Sequence, residues 1–149
     1  MTGYRLSPAQ QSKQRNKIEP SDPRIRNMSS NERVYSQEEI EQRLAEELPH
    51  WYFEDGWIRR KYRTSGWKAT LMVINTVGHL AEAAWHHPDI AASYAFVIVK
   101  LVTHSAKGVT DKDFALARQI EAVVQWRPAA DSVLEGTPDD PRFKYLKYD

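Results

Sequence analysis

Cysteine is absent from all 149 residues, which excludes disulfide staples and thiolate chemistry and says nothing positive about redox compartment. Long apolar runs are missing too. No stretch approaches the roughly 20 residues of a membrane-spanning helix, and the opening Met1-Thr2-Gly3-Tyr4-Arg5-Leu6-Ser7-Pro8 carries no apolar core of the secretory type. The expectation is a cytoplasmic protein that does not use a membrane. Charge of one sign is also scarce: 21 Lys and Arg stand against 20 Asp and Glu, a formal net charge of +1. A dedicated nucleic-acid binder carries a strong basic excess, so nucleic acid is not an expected partner. No internal repeat or low-complexity tract breaks the chain.

Histidine is rare but concentrated. Of five in the chain, three fall close together as His86-His87-Pro88 and then Thr103-His104. Imidazole, with an ordinary pKa of about 6.5, both gives and takes a proton near neutral pH. Three such groups point to proton-transfer chemistry rather than packing. His50 and His79 lie apart from this cluster and are read as structural.

The surrounding periodicity places them. Ser36-Gln37-Glu38-Glu39 is a capping box, after which Ile40, Leu44 and Leu48 form one apolar face that Pro49 ends. Trp51 to Glu54 and Trp57 to Arg63, separated by Asp55-Gly56, read as a hairpin. From Gly66 to Trp85 the apolar residues Trp67, Leu71, Ile74, Ala81 and Trp85 recur at helical spacing, so His86 and His87 fall at a helix end. Pro88 then turns the chain away. The stretch from Ser93 to His104 is rich in β-branched and aromatic residues, which predicts a strand ending at His104. A last helix starts at Thr110 and runs through Phe114, Leu116, Ala117, Ile120, Val123 and Val124 towards Pro128. Helices mix with antiparallel strands without a βαβ rhythm, so the fold class is α+β.

Three regions follow. Residues 1–34 hold seven Lys and Arg against Glu19, Asp22 and Glu32, with little periodicity. They read as a disordered basic arm, either a solvated tail or a docking segment for an acidic protein partner. Residues 35–126 form the folded domain, small enough to benefit from association. Residues 127–149 are a polar extension whose Phe143, Tyr145 and Tyr148 are expected to pack on the core or on a neighbouring subunit.

The run Glu82-Ala83-Ala84-Trp85-His86-His87-Pro88, with Thr103-His104-Ser105-Ala106-Lys107-Gly108-Val109-Thr110-Asp111-Lys112-Asp113, resembles the signature of the pterin-4a-carbinolamine dehydratases. The likeness extends more loosely through Leu48-Pro49-His50-Trp51. It implies a single antiparallel sheet with helices packed on one face, and a fourth strand at Ile90 to Ser93 that the residues themselves do not announce. It also implies assembly through the sheets into a homodimer or homotetramer. The implied reaction is dehydration of a 4a-hydroxy-tetrahydropterin to the quinonoid dihydropterin, with no metal and no cofactor.

On this resemblance His86, His87 and His104 are the catalytic histidines, His86 and His104 moving protons and His87 mainly holding the pterin. Glu82, Pro88, Thr103, Ser105, Ala106, Trp51 and Asp113 are the expected substrate contacts. Two alternatives stay open on the residues alone. Asp113 completes a Thr-x-x-Asp helix cap with Thr110, and Glu82 is equally a solvated helix residue. A third use of the same helix face, a metal site from His79, Glu82 and His86, competes for Glu82 and His86. Trp85 stands where the family more usually has a small or polar residue. The same family includes proteins used as binding factors, in transcription-factor dimerisation and in Rubisco assembly. A non-catalytic binding or assembly role is therefore the alternative to the enzyme.

Overall fold

A computed structural model describes residues 32–149. Most of the arm expected at 1–34 lies outside the described residues. The order of elements is α1 (Gln37–Glu47), β1 (Tyr52–Glu54), β2 (Trp57–Arg63), α2 (Trp67–Ala84), β3 (Asp89–Ser93), β4 (Phe96–Leu101) and α3 (Asp111–Val124). A single 3-10 turn, His104–Ala106, lies between β4 and α3. Among the described residues no helix is long and apolar enough to cross a membrane.

The capping box at α1 forms as the sequence predicts: Glu39 donates its amide to the Ser36 hydroxyl, and the Glu39 carboxylate accepts from the Ser36 amide. β1 and β2 are joined by Asp55 and Gly56, both at positive φ (50° and 82°). That pair of left-handed residues makes the turn whose twist matches a hairpin, and glycine takes the second position without a Cβ clash. All four strands pair antiparallel in the order β1-β2-β4-β3.

Alternation along the central strands sorts their side chains. Ile58, Arg60 and Tyr62 of β2 stand opposite Leu101, Val99 and Val97 of β4 and are buried. They meet Val73 and Val77 of α2 and Phe114, Ala117 and Ile120 of α3 in one core, which Ile40 and Leu44 of α1 complete. Burying a side chain of this size contributes about 1.5–3 kcal/mol. Helices therefore cover one face of the sheet. Among the described residues no helix covers the other face, which carries Trp57, Arg59, Lys61 and Lys100.

Two expectations about the strands change. The strand expected from Ser93 to His104 is shorter, β4 running only from Phe96 to Leu101, and the chain turns at Tyr94-Ala95 into a preceding strand, β3, with Ser93 opposite Phe96. This is the fourth strand that only the family resemblance implied. Every residue of β3 is exposed, because an edge strand at the margin of the helical layer is covered on neither face. His104 likewise does not end a strand. β4 stops at Leu101, and Thr103 pairs instead with Gly108, its amide donating to the Gly108 carbonyl at 3.0 Å. That bridge curls residues 104–106 into the 3-10 turn.

The segment after α3 returns to the sheet. Leu146 is buried and forms an antiparallel bridge with Thr64 beyond the end of β2. The Lys147 amide donates to the Arg63 carbonyl at 2.9 Å. The buried Arg60 guanidinium pairs with Glu121 at 3.1 Å and with Asp149.

Candidate active site

The end of α2 fixes the histidine pair. Trp85 takes the left-handed conformation (φ 52°, ψ 41°), its amide donates to Glu82 O at 3.2 Å, and the His86 amide donates to Ala81 O at 3.1 Å. Those two bonds are the Schellman arrangement that terminates a helix, and they direct His86 back towards the body of the domain.

There the His86 Nε2 lies 2.7 Å from Asp113 Oδ1. The imidazole is mostly buried and Asp113 wholly so. A buried carboxylate demands several donors, and Asp113 has them. Its Oδ2 accepts from the Thr103 hydroxyl at 2.8 Å and from the Thr110 amide at 2.8 Å. Protons in this cluster can be ordered by elimination. Thr103 spends its one hydroxyl proton on Asp113, so at the 2.7 Å contact between the two threonines Thr110 donates to Thr103. Thr110 in turn accepts from the Lys112 amide at 3.3 Å. With Asp113 ionised, His86 Nε2 is the donor to Oδ1, and Nδ1 is the ring nitrogen left to exchange a proton. Asp113 also sits in the first turn of α3, where the helix dipole favours its negative charge.

Asp113, expected as a substrate contact or as a helix cap, is the cap: it is wholly buried, and its other oxygen meets His86 rather than open space. Oδ2 closes the capping box with Thr110, while Oδ1 orients His86. His104 directly follows Thr103, so the same hydrogen-bonded chain carries His86 to the residue beside His104. The His104 ring is exposed and packs edge to face with Trp57, centroids 5.4 Å apart and planes at 76°. Ser105 and Ala106 complete the 3-10 turn, whose last amides fold back onto Thr103 O and His104 O at 3.1 Å each.

His87 and Glu82 form a separate, exposed pair, Nε2 to Oε2 at 3.0 Å. Trp85 stands against the His87 ring at 5.3 Å and 80°. Pro88 is half-buried between this pair and β3. Trp51 immediately precedes β1. It is buried in the core, and its indole N–H donates to Glu121 at 2.9 Å, beside Tyr62, whose hydroxyl bonds the same carboxylate at 2.7 Å. Burial and the Glu121 charge push the Tyr62 phenol well above its usual range. Among the described residues no set of three His, Cys, Asp or Glu side chains is placed to hold a metal. His86 and Glu82 are engaged with different partners.

Trp57 is the neighbour that sequence reading missed. Its place at the start of β2 marked it as a strand residue, and only the β2–β4 register brings it under His104. The Lys100 ammonium sits 5.3 Å from the Trp57 ring and 3.7 Å from Asp89, which follows Pro88. An open cleft of about 1110 Å³ lies away from the histidines, between the end of α3 and the C-terminal segment, lined by Trp126, Phe143, Tyr145 and Tyr148 among others.

Known proteins are similar to this chain. The family described as pterin 4 alpha carbinolamine dehydratase matches residues 33–123. A protein of Aquifex aeolicus (strain VF5) named "Putative pterin-4-alpha-carbinolamine dehydratase" is 43% identical over 93 residues, covering 62% of this chain and 93% of its own length. A Chloroflexus aurantiacus protein of the same name (strain ATCC 29366 / DSM 635 / J-10-fl) is 43% identical over 89 residues, 60% of this chain and 95% of its own. Among solved structures, the transcriptional coactivator/pterin dehydratase from Brucella melitensis aligns with TM-score 0.56 and 28% identity, over 61% of this chain and 98% of that one. The match takes in most of the chain, including all three clustered histidines and Asp113, and the chain belongs to the pterin 4 alpha carbinolamine dehydratase family.

Proposed function

We propose that this protein dehydrates a 4a-hydroxy-tetrahydropterin to the quinonoid dihydropterin by histidine general acid–base catalysis. In the substrate the carbon carrying the hydroxyl also carries a ring nitrogen. As the C–O bond breaks, the nitrogen lone pair forms the C=N bond, the oxygen leaves as water with one added proton, and the ring gives up its N–H proton. The reaction needs one proton donor and one acceptor, and positioned groups of this kind contribute about 10² to 10⁴ in rate.

The hydrogen bond between His86 and the buried Asp113 carries this reading. A carboxylate held by three donors fixes the tautomer of its imidazole and stabilises the imidazolium formed when Nδ1 accepts a proton, as the aspartate of a hydrolase triad does for its histidine. His86 is assigned as the base at the ring N–H. The exposed His104 is assigned as the acid at the leaving hydroxyl, and His87 with Glu82 as a polar edge for the pterin. The backbone of residues 103–106 and Pro88 would border the ring. Trp51, buried and bonded to Glu121, supports the domain from behind.

The exposed β3 edge and the sheet face that no described helix covers support a homo-oligomer, since an edge strand is a template for another chain. Light scattering would then give a multiple of the 17.3 kDa subunit mass. A second reading, a binding or assembly factor on the same scaffold, is favoured by the Brucella protein being described as a transcriptional coactivator and by terminal segments that lie outside the matched region. Deleting residues 1–34 would remove its partner without changing the oligomer.

Turnover decides between them. The purified protein should accelerate loss of 4a-hydroxy-tetrahydropterin over the spontaneous reaction, and an unaccelerated rate would end the enzyme reading.

A further inference from the structure

Trp85 works against the stability of its own helix. It occupies the left-handed position of the Schellman turn at φ 52°, where a side chain meets the following carbonyl and glycine is the residue of choice. The indole gains little in return, being 77% exposed. A bulky aromatic that is strained in its backbone and left in water stabilises little in the isolated chain. Strained residues of this kind cluster at sites where ligands are held.

Its surroundings name the ligand class. The turn places the indole immediately before His86, 5.3 Å from the His87 ring with the two planes at 80°. Two nearly perpendicular aromatic planes make a corner that receives a flat fused ring, lying on one plane with its edge towards the other. The His87 ring that forms one wall of this corner is itself paired with the exposed Glu82 carboxylate, Nε2 to Oε2 at 3.0 Å. The indole face suits an aromatic heterocycle, and the imidazole and carboxylate suit its donor and acceptor edge.

Resting on the dehydratase reading above, we propose that Trp85 is a substrate-binding residue, a stacking platform that receives the pterin ring beside His87. Stacking on an exposed aromatic face is worth about tenfold in affinity. The platform exists at the expense of the helix end, so binding and stability should move in opposite directions when it is removed.

The test compares wild type with Trp85→Asn and Trp85→Phe. Asparagine tolerates the left-handed turn, so Trp85→Asn should melt about 3 °C higher. Its Kd for tetrahydropterin, which lacks the leaving hydroxyl, should rise about tenfold by calorimetry. The corresponding loss in turnover should fall on KM rather than kcat. Trp85→Phe should recover most of the affinity without the gain in melting temperature. An unchanged Kd in Trp85→Asn overturns the proposal, as does a Kd change accompanied by a smaller oligomer, which would make Trp85 a subunit contact. If wild type binds tetrahydropterin without turning over the hydroxylated substrate, the dehydratase reading fails while the platform stands. If it does neither, both fall.

Discussion

At the scale of single residues, Asp113 shows why capping a helix and holding a histidine need not compete. A carboxylate has two oxygens and about four lone-pair directions, enough to close the α3 capping box on one side and hold His86 on the other. From the sequence, the Thr-x-x-Asp pattern disclosed only the local bond. The bond to His86 spans 27 residues, and no local pattern announces it. Trp57 was illegible for a similar reason, because its contact with His104 depends on strand register. Removing that edge-to-face contact should let the imidazole turn. Trp57→Ala should lower kcat about tenfold with KM little changed, and Trp57→Phe should stay near wild type, as steady-state kinetics would record.

At the scale of elements, strongly periodic segments were readable and unusual ones were not. The capping boxes at Ser36 and Thr110, the Asp55-Gly56 hairpin and the apolar stripes of α1 and α3 were written in adjacent residues, whereas the stripe read along α2 was the wrong one: Trp67, Leu71 and Trp85 are exposed, and the buried face is Ala69, Thr70, Val73, Val77 and Ala81. β3 was not, because a strand exposed on both faces has no alternation to detect and Tyr94-Ala95 is no common turn pair. Trp51 was read from the family motif as a substrate contact; the structure buries it with its indole N–H on Glu121, a contact across 70 residues that no local pattern announces. The Thr110 hydroxyl both caps α3 and donates to Thr103, so Thr110→Ala should destabilise the domain by about 1 kcal/mol or somewhat more. A thermal melt should show a fall of about 3–6 °C, with Thr110→Ser close to wild type.

Over the whole molecule, charge pairs tie the helices and the C-terminal segment to the sheet. The Arg60 guanidinium holds the Asp149 carboxyl below its usual range. Arg43 and then Arg118 do the same for Glu47, and Arg43 with the Tyr35 hydroxyl for Asp111. A carboxyl depressed in the folded state contributes stability above its unfolded pKa and loses it as pH falls through the folded value. Melting temperature should therefore fall as pH drops below about 4, less steeply in Asp149→Asn. At the alkaline end the sign reverses. Burial and Glu121 push the Tyr62 phenol up, and burial with the Tyr145 hydroxyl pushes Tyr148 up to about 12. Their contribution is present below about pH 10 and lost above it.

These scales meet in the pairing of His86 with Asp113, which joins the end of one helix to the start of another and on which the proposed mechanism rests. The most direct measurement is kcat for dehydration of 4a-hydroxy-tetrahydropterin by His86→Ala, Asp113→Asn and the double variant, with folding checked by circular dichroism. Each single change should lower the rate about 10²-fold or more, and the double should be no slower than His86→Ala, because Asp113 acts through His86. Full activity in His86→Ala, or losses that multiply in the double variant, would contradict the account.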